Sequence, residues 1–363
     1  MLRKILRYTL LLLLVFGLYV GGTLLHGTLT DWQPAAKLPV TTFQQSKETV
    51  IEDSIISLAI WNIGYSGLGE ESDFFFDYGG SLTSGGHMIH APQPMVEKNM
   101  QGAELFTEST LADIFLFQEV DLNSSRSYGI NQLDRLRAKK PEFAASHALN
   151  YKVSRVPLPI LEPWRAYGKV NSGIANLSRW QPYEEIRYQL PGEFDWPTRI
   201  FQLDRCLILS RYKTAQGPDL VLINAHFSAY DKGGELKKQQ MEFLKSLVLE
   251  NYEVGNYVLV GADWNQCPPY FPFDTFSLGE SNGYTQTSID PEFLPADWQW
   301  IYDPTIPSNR KLRGAYTEDS FTTVIDFFLA SPNLTAKRIK TIDQQFRFSD
   351  HQPVYLEIEF SSN

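Results

Sequence analysis

The chain has 363 residues, 43% hydrophobic and 13% aromatic, which is enough to bury a large core and argues against extended disorder. Its net charge of −10 and pI near 5.2 repel polyanions, so tight non-specific binding to nucleic acid is disfavoured. The two cysteines, Cys206 and Cys267, lie far apart in no metal-ligand spacing and read as buried free thiols, with neither a disulfide framework nor a zinc site indicated.

The chain opens with Arg3, Lys4 and Arg7, followed by an apolar run from Tyr8 to Leu25 long enough to cross a hydrocarbon core. Residues 1–25 are expected to form an uncleaved transmembrane signal anchor, and the positive-inside rule then places everything after His26 outside the cytoplasm. Residues 26–53, with Pro34 and Pro39 and no sustained periodicity, suggest a tether. Strand-like apolar runs follow at Ile55–Asn62, Asp113–Glu119, Ser172–Ser178, Asp219–Phe227, Asn256–Asp263, Val324–Ala330 and Pro353–Glu359. Between the fourth and fifth, Glu235–Glu250 carries Leu236, Gln240, Phe243, Leu244, Leu247 and Val248 on one helical face. Residues 95–113 also tolerate a helix. Strands interleaved with helices predict a single α/β domain over 54–363, with sheets covered on both sides.

The strands end in polar residues that a plain core would not hold. Asn62 closes the first, Glu119 the second, His226 and Asp263 stand near the ends of the fourth and fifth, Asp326 lies in the sixth, and Asp350 and His351 precede the seventh. Asp263 and Asn265 in "GADWNQ" also suit a turn, and a lone histidine is usually a satisfied core residue. Glu119 after "IFLFQ" and Asp326 within "VIDFFLA" are harder to dismiss, because an ionised carboxylate among apolar residues needs a partner or a metal. A histidine oriented by Asp326 is the natural candidate.

The ordered set "WN", "QE", "NSGIANLSR", "NAHFS", "GADWN", "IDFFL" and "SDH", spread over about residues 55–360, resembles the endonuclease/exonuclease/phosphatase superfamily. That superfamily includes DNase I, exonuclease III type repair nucleases, neutral sphingomyelinases and inositol polyphosphate 5-phosphatases. The resemblance implies a four-layer α/β sandwich, two packed mixed β-sheets flanked by helices, with the site at one end.

Phosphate-ester hydrolysis needs the anion neutralised, a water activated and the departing oxygen stabilised. Oxygen ligands select a hard cation, Mg²⁺ or alternatively Mn²⁺, with Glu119 as principal ligand, Asn62 beside it and Asp350 within reach. His351 with Asp326 supplies a base and its orienter, and Asp263 is an alternative base. Asn265 donates to a phosphate oxygen or holds Asp263, and by analogy with the family His226 stabilises transition-state charge. Asn171 and Arg199 are expected to contact substrate; Arg126, Arg165, Lys169 and Arg205 are further basic candidates. Some repair nucleases carry an Asp two residues after the first-strand Asn, where this chain has Gly64, so a nuclease-like metal shell is in question. Aromatic stretches "PPYFPF" and "DWQW" suit loop packing, lipid contact or base stacking. The expected activity is a Mg²⁺-dependent phosphoesterase hydrolysing a phosphodiester or phosphomonoester outside the cytoplasm, with a small or lipid phosphodiester slightly favoured. The alternatives are a membrane-anchored nuclease acting on DNA or RNA and an inactive tethered binding module; no protein partner is evident.

Overall fold

The structure, a computed structural model, describes residues 1–229, 234–277 and 285–361. In chain order they form α1 (Leu2–Leu29), β1 (Lys37–Pro39), β2 (Thr41–Gln44), β3 (Val50–Ile51), β4 (Ile55–Asn62), α2 (Gln93–Ser109), β5 (Ile114–Asp121), α3 (Gln132–Arg137), β6 (Ala144–Val156) and β7 (Gly168–Ser178). Then follow β8 (Glu184–Gln189), β9 (Cys206–Thr214), β10 (Leu220–His226), α4 (Glu235–Glu253), β11 (Tyr257–Asp263), β12 (Gln299–Ile301), β13 (Asn309–Arg310), β14 (Thr322–Thr323), β15 (Asp326–Ala330), β16 (Leu334–Thr341) and β17 (Val354–Phe360).

Two mixed sheets pack face to face. One runs β16-β17-β4-β5-β7-β6-β2, the other β1-β8-β9-β10-β11-β15-β12 with β3 added beside β9. Helices α2 and α3 cover the outer face of the first and α4 that of the second, which is the expected four-layer sandwich.

Strand parity builds these layers. Ile56, Leu58 and Ile60 of β4 point at the opposite sheet, whereas Ala59 and Trp61 point at α2. In β11, Tyr257 and Leu259 face inward, while Val258, Val260 and Ala262 face α4. Inward files from both sheets, including Leu116, Leu222 and Phe328, form one dry inter-sheet core.

The expected strands and both helices are present, with shifted ends. The expectations omitted α3, β6, β8, β9, β16 and the short β12, β13 and β14. The segment read as a tether is also partly built into the domain: β1 pairs with β8, β2 with β6, and β3 with β9. Sheet edges gave those residues hydrogen-bond partners that local periodicity does not reveal. Helix α1 is long and apolar enough to cross a membrane by length and composition, a test that a signal sequence also passes.

Gly261 lies where the two sheets pack tightly. A Cβ there would meet Ile60 Cγ2 at 2.7 Å, Leu116 Cδ1 at 2.8 Å and Phe328 Cε1 at 2.9 Å, all on packed core side chains. Gly261→Ala is therefore expected to cost about 1–3 kcal/mol, read from urea unfolding midpoints. An unchanged midpoint would show that the sheets have room to spare there.

Candidate active site

The inward files turn polar at one pole. Continuing the same parity, Ile60 gives way to Asn62, Leu222 to Asn224 and then His226, Leu259 and Gly261 to Asp263, and Phe328 to Asp326. Register brings them together: His226 is paired with Asp263 in the parallel β10–β11 ladder, and Asp263 with Asp326 across β11–β15.

A layer of amides separates this pole from the dry core. Gln118 Nε2 donates to Asn224 Oδ1 at 2.8 Å, and Asn224 Nδ2 donates to Asn176 Oδ1 at 2.8 Å and to the Ala175 carbonyl at 3.1 Å. Each satisfied bond contributes about 1 kcal/mol, whereas an orphaned group costs about 1–3 kcal/mol.

Glu119 breaks the parity. Phe115 and Phe117 face the helices and Gln118 faces inward, so a regular strand would turn Glu119 outward. A bulge between Phe117 and Val120, with Glu119 at φ +55°, re-aims its carboxylate into the pole while Val120 stays on the outer face. That conformation costs on the order of 1–3 kcal/mol for a residue with a Cβ.

Asp263 lies at the centre. Its Oδ2 accepts from Asn62 Nδ2 at 2.9 Å and lies 3.3 Å from His226 Nε2 and 3.8 Å from His351 Nε2. Its Oδ1 accepts from the backbone N–H of Asn265 at 3.0 Å. The Asn265 side chain donates to the Phe227 carbonyl at 3.0 Å, so in this state it braces the loop after β11. His351 Nδ1 meets Asp326 Oδ2 at 2.8 Å, and Ser308 Oγ donates to that same oxygen at 2.8 Å. Asp350 Oδ2 is 4.0 Å from His351 Nε2, and Glu119 Oε1 is 4.0 Å from His226 Nε2.

Burial and mutual charge set the protonation states. Burial alone would discharge His351, but Asp326, Asp263 and Asp350 outweigh it and lift its pKa to about 10. Burial pushes Asp326 up to about 6 against the pull of His351, and pushes Asp350 up to about 7 with Glu119 adding to the rise. Burial drives His226 well below its ordinary value, so it is neutral, with Nδ1 unpartnered among the described residues. Asn309 Nδ2 lies 3.0 Å from His351 Nε2 and donates to the Asp350 carbonyl at 3.2 Å.

A cavity of about 250 Å³ opens against this pole. Its polar wall is Glu119, His226, Asp263, Asn265, Asp350 and His351, with Asn62 and Asp326 directly behind. Its other arm is apolar, formed by Phe74, Phe75, Val156, Leu158, Phe201 and Leu203. At the junction stands Arg126, bidentate to Asp121 at 2.9 and 3.1 Å, bonded to Tyr167 Oη at 2.9 Å, and 3.8 Å from the centroid of the Tyr65 ring.

The carboxylate-rich wall fits a divalent cation. Glu119, Asp263 and Asp350 crowd one low-dielectric space; burial is the main cause of the upward shift of Asp350 and the Glu119 charge adds to it, and a cation would offset both. Asp263, Asp326 and His351 also place ligand-type atoms within 4.8 Å of one another. The His351–Asp326 bond already occupies that cluster's facing atoms, so Glu119 and Asp350, with Asn62 behind, are the better ligand set.

Eight of the ten expected site residues thus gather at one pole. Asn171 and Arg199 do not line the cavity: Asn171 accepts a bond at its carbonyl from Leu122, and Arg199 lies 3.7 Å from Asp31. Arg126 and Arg205 line it instead, whereas Arg165 and Lys169 do not. Ser308 and Asn309, which position Asp326 and His351, were not expected; nothing local in "IPSNRK" distinguishes them from a loop.

A two-sheet sandwich with carboxylates, imidazoles and amides converging at one end of its inter-sheet core defines a metal-dependent phosphoesterase architecture. The sequence matches the Endonuclease/Exonuclease/phosphatase family over residues 89–351, and the chain belongs to that family. It is a metal-dependent phosphoric ester hydrolase. Among solved structures it is similar to an endonuclease/exonuclease/phosphatase from Beutenbergia cavernae, at 15% identity and TM-score 0.54, over 85% of this chain and 72% of that one. Another from Bacteroides vulgatus matches at 15% identity and TM-score 0.51, over 85% of this chain and 100% of that one. No curated protein matches the chain.

If the three carboxylates hold His351 charged, then in metal-free protein Asp326→Asn should lower the His351 pKa by about one unit or more. Proton NMR titration of its ring resonances reads this directly. An unmoved pKa would show that the pair contributes little to the field at the imidazole.

Proposed function

We propose that the chain is a membrane-anchored, extracytoplasmic Mg²⁺-dependent phosphoesterase whose substrate is a small or lipid phosphodiester. The observation that carries this reading is the two-part cavity, in which a phosphate-sized polar wall continues into an apolar arm. An apolar arm suits an amphiphile better than duplex DNA, and the net charge of −10 acts in the same direction. Helix α1 is the anchor, and its flanking Arg3, Lys4 and Arg7 put the domain on the far side of the membrane from the cytoplasm.

Glu119 and Asp350, with Asn62 behind them, would hold Mg²⁺ or Mn²⁺, which when bound supplies charge neutralisation at the phosphoryl and leaving oxygens. Asp263 orients the attacking water and accepts its proton; Asn62 and the Asn265 amide fix the carboxylate for that task. His351, assigned by its sequence pattern as the base, is better suited to donate, because the surrounding carboxylates keep it charged up to about pH 10. Asp326 holds its ring in place, and His351 and His226 together stabilise charge on the pentacoordinate phosphorus. Asn265 keeps Asp263 aligned and is near enough to the cavity to reach a phosphate oxygen.

The test is the full chain in detergent micelles with Mg²⁺, assayed in parallel on plasmid DNA, RNA, sphingomyelin and phosphoinositides. Shortening the chain to residue 54 is avoided because it would strip β1, β2 and β3 from their sheets. Lipid phosphodiester turnover is expected to exceed that of either nucleic acid and to vanish with chelator. Faster cleavage of DNA or RNA would overturn the substrate reading, and inactivity on every phosphoester would favour a binding module.

Glu119→Gln, Asp263→Asn and His351→Ala should each lower turnover by about 10²–10⁴-fold. Folding is checked by circular dichroism, and near-native rates in any of the three would remove that residue from the assigned chemistry.

A further inference from the structure

The end of α1 is docked, not free. His26 Nε2 and Thr30 Oγ1 both meet Ser154 Oγ of β6, at 2.9 and 2.8 Å, and Trp196 Nε1 donates to Thr28 Oγ1 at 3.1 Å. Gly27 packs so closely that a Cβ would meet Ile200 at 2.9 Å and Phe201 at 3.0 Å. The direction in which α1 leaves the domain is therefore set by the fold.

Ser154 lies near the tip of the β6–β7 hairpin, which closes where Val156 pairs with Gly168. That tip extends past the strand ends that carry Glu119 and His226, at the catalytic pole. Its loop is stitched to a second one: Ile160 and Leu161 donate backbone bonds to Ser81 and Leu82, and the Glu162 carboxylate accepts from the Ser84 N–H at 2.6 Å. Arg155 caps the Pro163 carbonyl at 3.0 Å.

This well-bonded tip presents large apolar side chains to solvent. Trp164 is 77% exposed, Leu82 58% and Leu161 49%. The same hairpin carries the exposed cations Lys152, Arg155, Arg165 and Lys169 in a strongly acidic protein; Arg165 pairs with Glu162 at 3.3 Å and Lys152 lies over the Trp32 ring. Exposed tryptophan and leucine on a hairpin that also carries Lys and Arg match the chemistry of a bilayer interface, where apolar groups enter the acyl boundary and cations meet anionic headgroups.

We propose that Leu82, Leu161 and Trp164 seat the β6–β7 tip in the headgroup layer of an anionic bilayer, so that the cavity opens onto the membrane surface. This rests on α1 being the membrane helix. The seat is continuous with that helix through Ser154, and Phe201, which packs on Gly27, also lines the apolar arm. An amphiphile leaving the bilayer would thus meet the apolar arm before its phosphate reached Glu119 and Asp263.

The test uses the full chain in nanodiscs of mixed phosphatidylcholine and phosphatidylglycerol, spin-labelled at one introduced cysteine at a time; Cys206 and Cys267 are buried. Labels go on Trp164→Cys, Leu82→Cys, Leu12→Cys within α1, and Leu111→Cys, an exposed position at the opposite pole, whose carbonyl accepts from Ser57 near the start of β4. Accessibility to oxygen is compared with accessibility to a polar nickel chelate. The proposal expects the oxygen-to-nickel ratio at 164 and 82 to exceed that at 111 several-fold and to drop in phosphatidylcholine alone. Ratios at 164 and 82 equal to that at 111, with the Leu12→Cys label reading bilayer interior, would overturn the seat and leave the anchor intact. An aqueous reading at Leu12→Cys as well would remove both.

Discussion

Charge placed between two packed sheets must be answered by other charge, by hydrogen bonds or by a ligand, and this constraint shapes the whole molecule. Along most of their length the inward files of both sheets are Ile, Leu, Val and Phe, and the space between them is dry. The same files become Asn, His and Asp at the catalytic end, and on the β6–β9 side a further buried carboxylate, Glu185, is held between the sheets by Ser146, Asn176 and Ser210. At the catalytic end Asn62, His226, Asn265 and His351 surround Asp263, and Ser308 and His351 share Asp326. The amide layer of Gln118, Asn176 and Asn224 prevents the polar end from abutting bare hydrocarbon. The site is therefore the polar end of the core, and it inherits the rigidity of the strands that carry it.

Two departures from regularity create the chemistry. The bulge at Glu119 turns a carboxylate into the pole that strand parity would have buried under α2. The second is the burial of several acids around one imidazole: burial, with Glu119 adding to it, lifts Asp350, and the carboxylates together hold His351 charged. An arrangement so crowded with carboxylates is poorly balanced alone and well suited to a divalent cation and an anionic substrate, which answer each other's charge.

Much of this was legible in the sequence because it obeys local period. "VLINAHF", "YVLVGAD" and "DFFLA" are apolar runs each bounded by a polar residue that could be placed at a strand end, and seven such residues in family order pointed to one site. What escaped depended on contacts between distant segments. Ser308 and Asn309 gain their function by lying beside Asp326 and His351, which no spacing encodes. The bulge at Glu119 is fixed by its pairing with β7, and residues 37–51 become strands because sheet edges are available to them. Arg199, a plausible phosphate ligand by charge alone, lies against Asp31 near the end of α1.

The central claim is that residues from Asn62 to His351 form one divalent-cation site built around Glu119. Calorimetric titration of Mg²⁺ into the full chain and into Glu119→Gln tests it without reference to any substrate. The account predicts saturable binding to the native chain and affinity about tenfold or more weaker in the variant, with unchanged circular dichroism. Equal affinity in the two proteins would contradict it.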